Sequence, residues 1–130
     1  HNGIEYGMMQ AIAEGFDILE HSKLDLDLNK IAKVYQNGSI ISSYLVDKTA
    51  DALVKDVKLS NITDQVDSSG EGLWTVEEAL ELGLPAYVIT ASLFKRYESK
   101  QDNRFSNKLL AAMRNEFGGH KVHRVGEDHD

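Results

Sequence analysis

Apolar residues recur at three- and four-residue intervals along almost the whole chain, which is the spacing of one face of an α-helix. The first such stretch covers residues 1–21. Its predicted inner stripe consists of Ile4, Met8, Ala11, Ile12, Phe16 and Leu19. Asp27 is placed to cap a second helix that Asn37-Gly38 ends, and a third helix is predicted over residues 39–55. The pattern predicts an all-α fold, a compact helical bundle.

Glycine, serine and proline divide the second half of the chain into shorter elements. Residues 67–72, with the sequence DSSGEG, predict a loop. Thr75 followed by Glu78 has the spacing of a capping box, which predicts a short helix that Gly83 ends. Pro85 is predicted to begin the next helix, because a proline at the first helical position loses no hydrogen bond.

The C-terminal part predicts two further features and a tail. The helix after the proline should turn Leu93, Phe94 and Tyr97 inward, and a last helix over residues 103–117 should end at Gly118-Gly119. These elements define a helical domain over residues 1–122. Residues 123–130 show no apolar period and are predicted to be disordered.

Composition narrows the possible functions of the 130 residues. The net charge of -7 argues against binding duplex nucleic acid, which requires a concentrated basic surface. No apolar run is long enough to span a bilayer, and the chain contains no cysteine for a disulfide or a thiolate metal site. We therefore expect a cytoplasmic protein. Residue 1 is His rather than Met, and we expect the chain to be a fragment of a longer protein.

The first helix begins with a set of polar side chains that share one face. Asn2, Glu5 and Tyr6 are related by intervals of three and four residues, so an amide, a carboxyl and a phenol project close together. Such groups can orient hydroxyls, move a proton and bind a phosphate oxygen. From spacing alone, a solvated polar stripe is the better explanation of these residues.

The identity of the motifs favours a functional site. The sequence reads HNGIEYGMMQ over residues 1–10, GEGLWT over 70–75, Leu-Pro at 84–85, and RNEFGGH over 114–120. In order and spacing these motifs resemble the 6-phosphogluconate dehydrogenase family, in its short prokaryotic form. The resemblance covers nearly the whole chain and implies that it is the C-terminal substrate-binding and dimerisation domain.

The resemblance implies an activity for the longer protein. An N-terminal Rossmann domain, absent from this sequence, would bind NAD or NADP. The enzyme would oxidise 6-phosphogluconate at its 3-hydroxyl, release CO2 from the keto intermediate and protonate the enol to give ribulose 5-phosphate, in the pentose phosphate or gluconate pathway. The family's general base is a lysine just before the HNG motif, upstream of His1, so the isolated chain is expected to be inactive.

The resemblance also assigns roles to individual residues. Glu5 corresponds to the general acid, which must be kept protonated near neutral pH by burial. Asn2 corresponds to a contact to substrate hydroxyls, and His1 orients the site. Phosphate contacts are assigned to Tyr6, Thr75 and Arg96.

Two further residues are implied to act across subunits. Arg114 and His120 correspond to residues that reach into the neighbouring subunit's site, which would make a homodimer necessary for function. By position alone, each is better explained as a group near a helix terminus. Leu73 departs from the family pattern, because long-form relatives have a phosphate-binding lysine before the tryptophan.

Two alternatives remain open at this point. The chain can be an inactive sugar-phosphate-binding and dimerisation module, or part of a related β-hydroxyacid dehydrogenase that oxidises another sugar acid, as Leu73 allows. A metal site formed by His120, His123 and His129 is disfavoured, and we expect no metal. The DSSGEG segment lacks the ending of a P-loop and is not expected to bind a nucleotide.

Overall fold

A computed structural model describes residues 1–127, and within them the regular structure consists of six α-helices and no strand, which confirms the all-α prediction. The helices are α1 (Asn2–Glu20), α2 (Leu28–Gln36), α3 (Tyr44–Lys55), α4 (Glu71–Leu82), α5 (Tyr87–Glu98) and α6 (Phe105–Gly118). The chain forms two compact units, residues 1–99 and residues 100–130. None of the helices in the described part is long and apolar enough to cross a membrane.

Helix α1 is the central element of the first unit, because both of the unit's apolar clusters form against it. Its C-terminal half contributes Phe16 and Leu19 to a cluster with α2 and α3, whose buried members are Leu28, Ala32, Ala50 and Leu53. Its N-terminal half contributes Tyr6 to a second cluster, which contains Val76 of α4 and Leu93 of α5. The two ends of α1 are therefore packed by different helix pairs.

The first and second helices match their predictions, but the third begins later than predicted. The Asp27 side chain accepts a hydrogen bond from the Lys30 amide at 3.2 Å and so caps α2. Residues 39–43 are not helical. The Ser39 hydroxyl donates to the Tyr35 carbonyl at 2.6 Å, and Ser43 caps α3 by accepting from the Val46 amide at 3.2 Å. Helix α3 therefore begins at Tyr44 and not at residue 39, because the side chains of Ser39 and Ser43 form local hydrogen bonds that compete with the helix.

Helix α4 begins four residues before the predicted cap. Gly70, with a φ of 111°, is its N-cap, and Thr75 lies inside the helix with its hydroxyl donating to the Glu71 carbonyl at 2.8 Å. The predicted capping box of Thr75 and Glu78 is therefore wrong, and half of the predicted DSSGEG loop is a helix start. A glycine-rich segment forms a helix here because tertiary packing outweighs its low propensity.

The junction between α4 and α5 is partly as predicted. Gly83 ends α4 in the left-handed conformation, and the Leu84 amide donates back to the Ala79 carbonyl at 2.8 Å. Pro85 does not begin α5. It lies in the connection, and Ala86 is the N-cap.

Two predicted inner faces were partly wrong, although Leu93 of α5 and Phe16 and Leu19 of α1 do face apolar clusters as predicted. Ile4 and Met8 of α1 are exposed, and the inward positions near them are Gly3, Tyr6 and Gly7. In α5, Phe94 and Tyr97 are exposed, whereas Leu93 and the polar Ser92 are buried. The same face of α5 carries Arg96, seven residues after Ile89. Hydrophobicity patterns miss faces that are built from glycine and polar residues.

The second unit contains α6, which ends at Gly119 in a left-handed conformation. None of its residues is buried, and the exposed apolar side chains are Phe105, Leu109, Leu110, Met113 and Phe117. Within the predicted tail, residues 123–127 contain a turn in which the Arg124 amide donates to the Glu127 side chain. Residues 128–130, which include His129, lie outside the described part.

Candidate functional site

The HNG and GxG motifs form a close contact between α1 and α4. A Cβ atom on Gly3 would lie 2.5 Å from the side chain of Thr75, and a Cβ on Gly72 would overlap the ring of Tyr6. Both glycines lie inside helices, where glycine is otherwise unfavourable. Their role is to let the two helix starts approach, which brings the polar side chains of both motifs into one place.

Arg96 of α5 covers the Tyr6 ring. Its guanidinium carbon lies 3.6 Å from the ring centre, within range of a cation–π interaction. One guanidinium nitrogen donates to the Asp67 carbonyl at 3.1 Å, and another approaches the Met9 sulfur at 3.8 Å. Beneath it, the Tyr6 hydroxyl is buried and has no hydrogen-bond partner. A buried hydroxyl without a partner is costly, so this one is a natural position for a ligand oxygen.

The first residues of α1 and the start of α4 each carry a pair of hydrogen-bonded polar side chains. The His1 Nδ1 donates to the Asn2 side-chain oxygen at 2.7 Å, and Asn2 is one of the groups that lower the pKa of the Glu71 carboxyl. The Ser69 hydroxyl donates to the same carboxylate at 2.8 Å. These bonds, with the Glu71 amide and the nearby Arg96 charge, hold the pKa of Glu71 below its ordinary value, Ser69 having the largest effect.

Glu5 lies at the edge of this group. Its carboxylate is 4.0 Å from His1 Nδ1, and its side chain is 39% exposed. The burial that a general acid needs is thus only partly provided by this chain. His1 links Glu5 to Asn2, because the same imidazole nitrogen approaches both side chains.

Of the predicted site residues, the structure brings together Asn2, Tyr6, Thr75 and Arg96, and it places Glu5 beside them. Sequence reasoning missed Glu71, although it lies within the GEGLWT motif and carries a charge. Residues 67–72 were predicted to form a loop, and Glu71 was therefore not expected to lie near the start of a helix. The chemical roles of the site residues stay predictions.

Arg114 and His120 belong to the second unit, where the RNEFGGH motif forms the end of α6. The His120 amide donates to the Arg114 carbonyl, and the Asn115 side chain donates to the His120 carbonyl at 2.9 Å. The imidazole lies over Gly118, whose absent Cβ would be 2.6 Å from the ring, and it meets the Phe117 ring edge-on. The motif therefore holds this histidine in one position. Its predicted reach into another subunit stays a prediction.

Leu73 stands where long-form relatives have a phosphate-binding lysine, and it cannot supply the positive charge of that lysine. Leu73 is 37% exposed and brings no charge to the first turn of α4. Trp74 is half-exposed and packs on Gly70, where a Cβ would be 2.8 Å from its ring. Arg96 is accordingly the cation that the first unit places over Tyr6.

A separate groove of about 510 Å³ lies between α1, α2 and α3. Its walls are mainly apolar and include Ile12, Phe16, Leu45 and Leu53. It does not contain the converging polar groups described above. We therefore place the candidate site at the N-terminal end of α1 and not in this groove.

The start of α4 does not suit the pyrophosphate of a nicotinamide cofactor. The glycine-rich start of α4 carries the Glu71 carboxylate at the helix N-terminus, where a dinucleotide would place its pyrophosphate, and no strand precedes it. Within residues 1–127, no three His, Asp or Glu side chains are grouped as metal ligands.

Comparison with known proteins gives consistent matches. The family model described as "6-phosphogluconate dehydrogenase, C-terminal domain" matches residues 1–107. The Bacillus subtilis (strain 168) protein YqeC is 52% identical over 124 residues, which are 95% of this chain and 42% of that protein.

Two relatives carry more specific names. The "6-phosphogluconate dehydrogenase, NAD(+)-dependent, decarboxylating" of Haloferax volcanii is 42% identical over 125 residues, or 95% of this chain and 42% of the relative. The "6-phosphogluconate dehydrogenase, decarboxylating" of Escherichia coli (strain K12) is 38% identical over 131 residues, or 94% of this chain and 28% of the relative. The chain spans less than half the length of these relatives. It belongs to the 6-phosphogluconate dehydrogenase family, of which it matches the C-terminal domain.

Proposed function

We propose that this domain binds the substrate in a decarboxylating 6-phosphogluconate dehydrogenase. The longer protein would convert 6-phosphogluconate to ribulose 5-phosphate and CO2 with reduction of NAD or NADP. The observation that carries the proposal is the convergence of Asn2, Tyr6, Thr75 and Arg96 at the contact between α1, α4 and α5. A cation, a hydroxyl without a partner and an amide there match the three kinds of group on a phosphorylated sugar acid.

Arg96 and Tyr6 would bind the phosphate. A guanidinium has five N–H donors, and Arg96 uses one on the Asp67 carbonyl and directs another toward the Met9 sulfur. The remaining donors and the buried Tyr6 hydroxyl can hold phosphate oxygens together. Thr75, packed against Gly3, lies close enough to α1 to contribute its hydroxyl to the same group.

Asn2 and Glu5 would act on the sugar-acid end. After the 3-hydroxyl has been oxidised, the keto acid loses its carboxyl carbon as CO2 and leaves an enol. Glu5 would deliver a proton to the enol carbon, while Asn2 holds a neighbouring hydroxyl. Because Glu5 is 39% exposed in this chain, the rest of the protein would have to cover it during the reaction.

The nicotinamide cofactor would be bound outside this domain, since the start of α4 does not suit a pyrophosphate. When bound, it accepts the hydride from the substrate. The relative from Haloferax volcanii is named as NAD(+)-dependent, and the longer protein that contains this chain would use NAD or NADP. We expect such an enzyme to work in the cytoplasm, in the pentose phosphate or gluconate pathway.

A second copy of the chain would complete the site. Helix α6 has no buried residue in this chain, although it carries Leu109, Met113 and Phe117, and a helix of 14 residues needs packing to be stable. A homodimer in which α6 packs on the other subunit would bury this face. It would also carry Arg114 and His120 toward the neighbouring substrate and replace the charge that Leu73 does not provide.

The longer protein should be assayed with 6-phosphogluconate and either NAD or NADP, by following cofactor reduction and release of CO2. Both are expected. Oxidation of another sugar acid but not of 6-phosphogluconate would favour the related β-hydroxyacid dehydrogenase. Binding of 6-phosphogluconate without turnover would favour the inactive module, and either result would overturn the proposal.

A further inference from the structure

Ser99 attaches the loop before α4, residues 56–70, to the end of α5. It is the C-cap of α5, and its hydroxyl accepts a hydrogen bond from the Val66 amide at 2.9 Å. The same hydroxyl donates to the Arg96 carbonyl at 2.7 Å. The hydroxyl therefore uses its proton on the helix and a lone pair on the loop, so one small side chain joins the two.

The loop depends on such attachments because burial does not hold it. Residues 56–70 connect α3 to α4 without a helix or a strand, and every residue from 61 to 67 is exposed. A segment with few buried contacts is kept in place mainly by its hydrogen bonds. The bond between Val66 and Ser99 joins this segment to a residue 33 positions further along the chain.

The next residue of the loop holds the Arg96 guanidinium. The Asp67 carbonyl accepts from a guanidinium nitrogen at 3.1 Å, and the guanidinium carbon lies 3.6 Å from the centre of the Tyr6 ring. Fixing the Val66 amide restricts where the carbonyl of the following residue can lie. Ser99 thus contacts Arg96 directly at its backbone and, through the loop, also determines the place of its side chain.

We propose that Ser99 is a positioning residue of the substrate site, which fixes the loop whose Asp67 carbonyl holds the Arg96 guanidinium. Ser99 does not itself bind the substrate. A guanidinium that is held in place before the ligand arrives loses little rotational freedom on binding, so the attachment strengthens binding. This inference rests on the proposed function, because it assumes that Arg96 binds the phosphate of the sugar acid.

The kinetic test uses the longer protein with the substitutions Ser99→Ala and Ser99→Thr. We expect Ser99→Ala to raise the KM for 6-phosphogluconate about threefold to tenfold, the effect of one neutral hydrogen bond, and to change kcat by less than about twofold. Ser99→Thr keeps the hydroxyl and should retain the KM of the unaltered protein. An unchanged KM in Ser99→Ala, with full activity of the unaltered protein, would overturn the inference and leave the proposed function intact.

Ser39→Ala is the matched control. Ser39 also follows a helix, and its hydroxyl donates to the Tyr35 carbonyl at 2.6 Å, but it lies after α2, away from the candidate site. Its replacement removes the same kind of hydrogen bond and should leave KM and kcat unchanged. A rise in KM as large as that in Ser99→Ala would mean that the loss of any such hydroxyl weakens binding, and it would overturn the positioning role.

A double-mutant cycle shows whether Ser99 acts through Arg96. If it does, Ser99→Ala should change the KM by less than about twofold once Arg96 has been replaced by alanine. The same factor with and without Arg96 would mean that Ser99 affects binding by another route, and it would overturn the proposal.

A spectroscopic test needs no substrate. With nitrogen-labelled arginine in the longer protein, the guanidinium signal of Arg96 is identified by its absence from Arg96→Lys. Ser99→Ala should speed the exchange of the Arg96 guanidinium hydrogens with solvent by at least about threefold, because the bond to the Asp67 carbonyl opens more often. Ser99→Thr should not. An exchange rate that does not respond to Ser99→Ala would overturn the inference even if 6-phosphogluconate proved not to be the substrate.

Discussion

Gly72 and Tyr6 determine each other's place, because the tyrosine ring occupies the volume that a side chain at residue 72 would need. The same ring lies under the Arg96 guanidinium. The second glycine of the GxG motif thus allows α4 to approach α1 and sets the position of a phenol in the candidate site.

Replacing Gly72 by alanine should destabilise the first unit and weaken substrate binding. The new methyl group overlaps the Tyr6 ring, and overpacking of this kind costs about 1–3 kcal/mol. Gly15→Ala is the matched control, because Gly15 also lies inside a helix but has open space beside it, and this change should stabilise by about 0.5–1 kcal/mol. Urea unfolding would measure both, and equal stabilities of the two variants would contradict the packing described here.

Replacing Arg96 by alanine should weaken binding of 6-phosphogluconate more than that of gluconate. Loss of a guanidinium–phosphate contact is expected to raise the KM for the phosphorylated substrate about tenfold to a hundredfold, from the ~1.5–3 kcal/mol of a charged hydrogen bond. Arg96→Lys should recover only part of this, since lysine cannot form a bidentate contact. Lys95→Ala, next to it but paired with Glu98 on the surface, serves as the control. An equal loss for the two substrates would argue against a phosphate contact.

Acid should remove a stabilising contribution of Glu71. The pKa of this carboxyl is held below its ordinary value, with Ser69 as the largest cause, so the contribution is complete above about pH 4.3. It is lost as the pH falls through the lower pKa of the folded state. Ser69→Ala should raise the pKa of Glu71 toward its ordinary value, as measured by NMR titration of the carboxyl carbon. No change in that pKa would contradict the Ser69 hydrogen bond.

Mixing two inactive variants of the longer protein should restore activity. In a heterodimer of Glu5→Gln and Arg114→Ala subunits, one of the two sites contains both native residues if each site draws Arg114 from the other chain. Random exchange should therefore give about a quarter of the unaltered activity, because about half of the dimers are mixed and one site in each is intact. Activity that stays at the level of the separate, inactive variants would show that Glu5 and Arg114 act in the same chain.

The helix content could be predicted from the sequence because most of these helices have apolar periodicity and recognisable ends. Asp27 and Gly83 are examples in which local chemistry alone determines a boundary. The start of α4 could not be predicted in this way. Gly72 is unfavourable in an isolated helix, and only its contact with Tyr6, distant in sequence, accounts for its presence.

The candidate site was partly predictable for a related reason. The spacing of Asn2, Glu5 and Tyr6 places them at the start of one helix, and the motifs suggested Thr75 and Arg96. Glu71 was not predicted to be a site residue. It was assigned to a loop, and the sequence does not indicate which residues lie near a loop residue. On the inner face of α5 only Leu93 was predicted correctly, because Ser92 and Arg96 do not contribute to an apolar stripe.

In a single chain, the imidazole of His120 already lies beside Gly118 and meets the Phe117 ring edge-on. A side chain that is ordered before two subunits meet loses little rotational freedom when they associate, so its contacts add to affinity almost in full. Any residue larger than glycine at position 118 would displace the ring. We expect such a change to leave α6 helical but to lower the affinity between the two subunits.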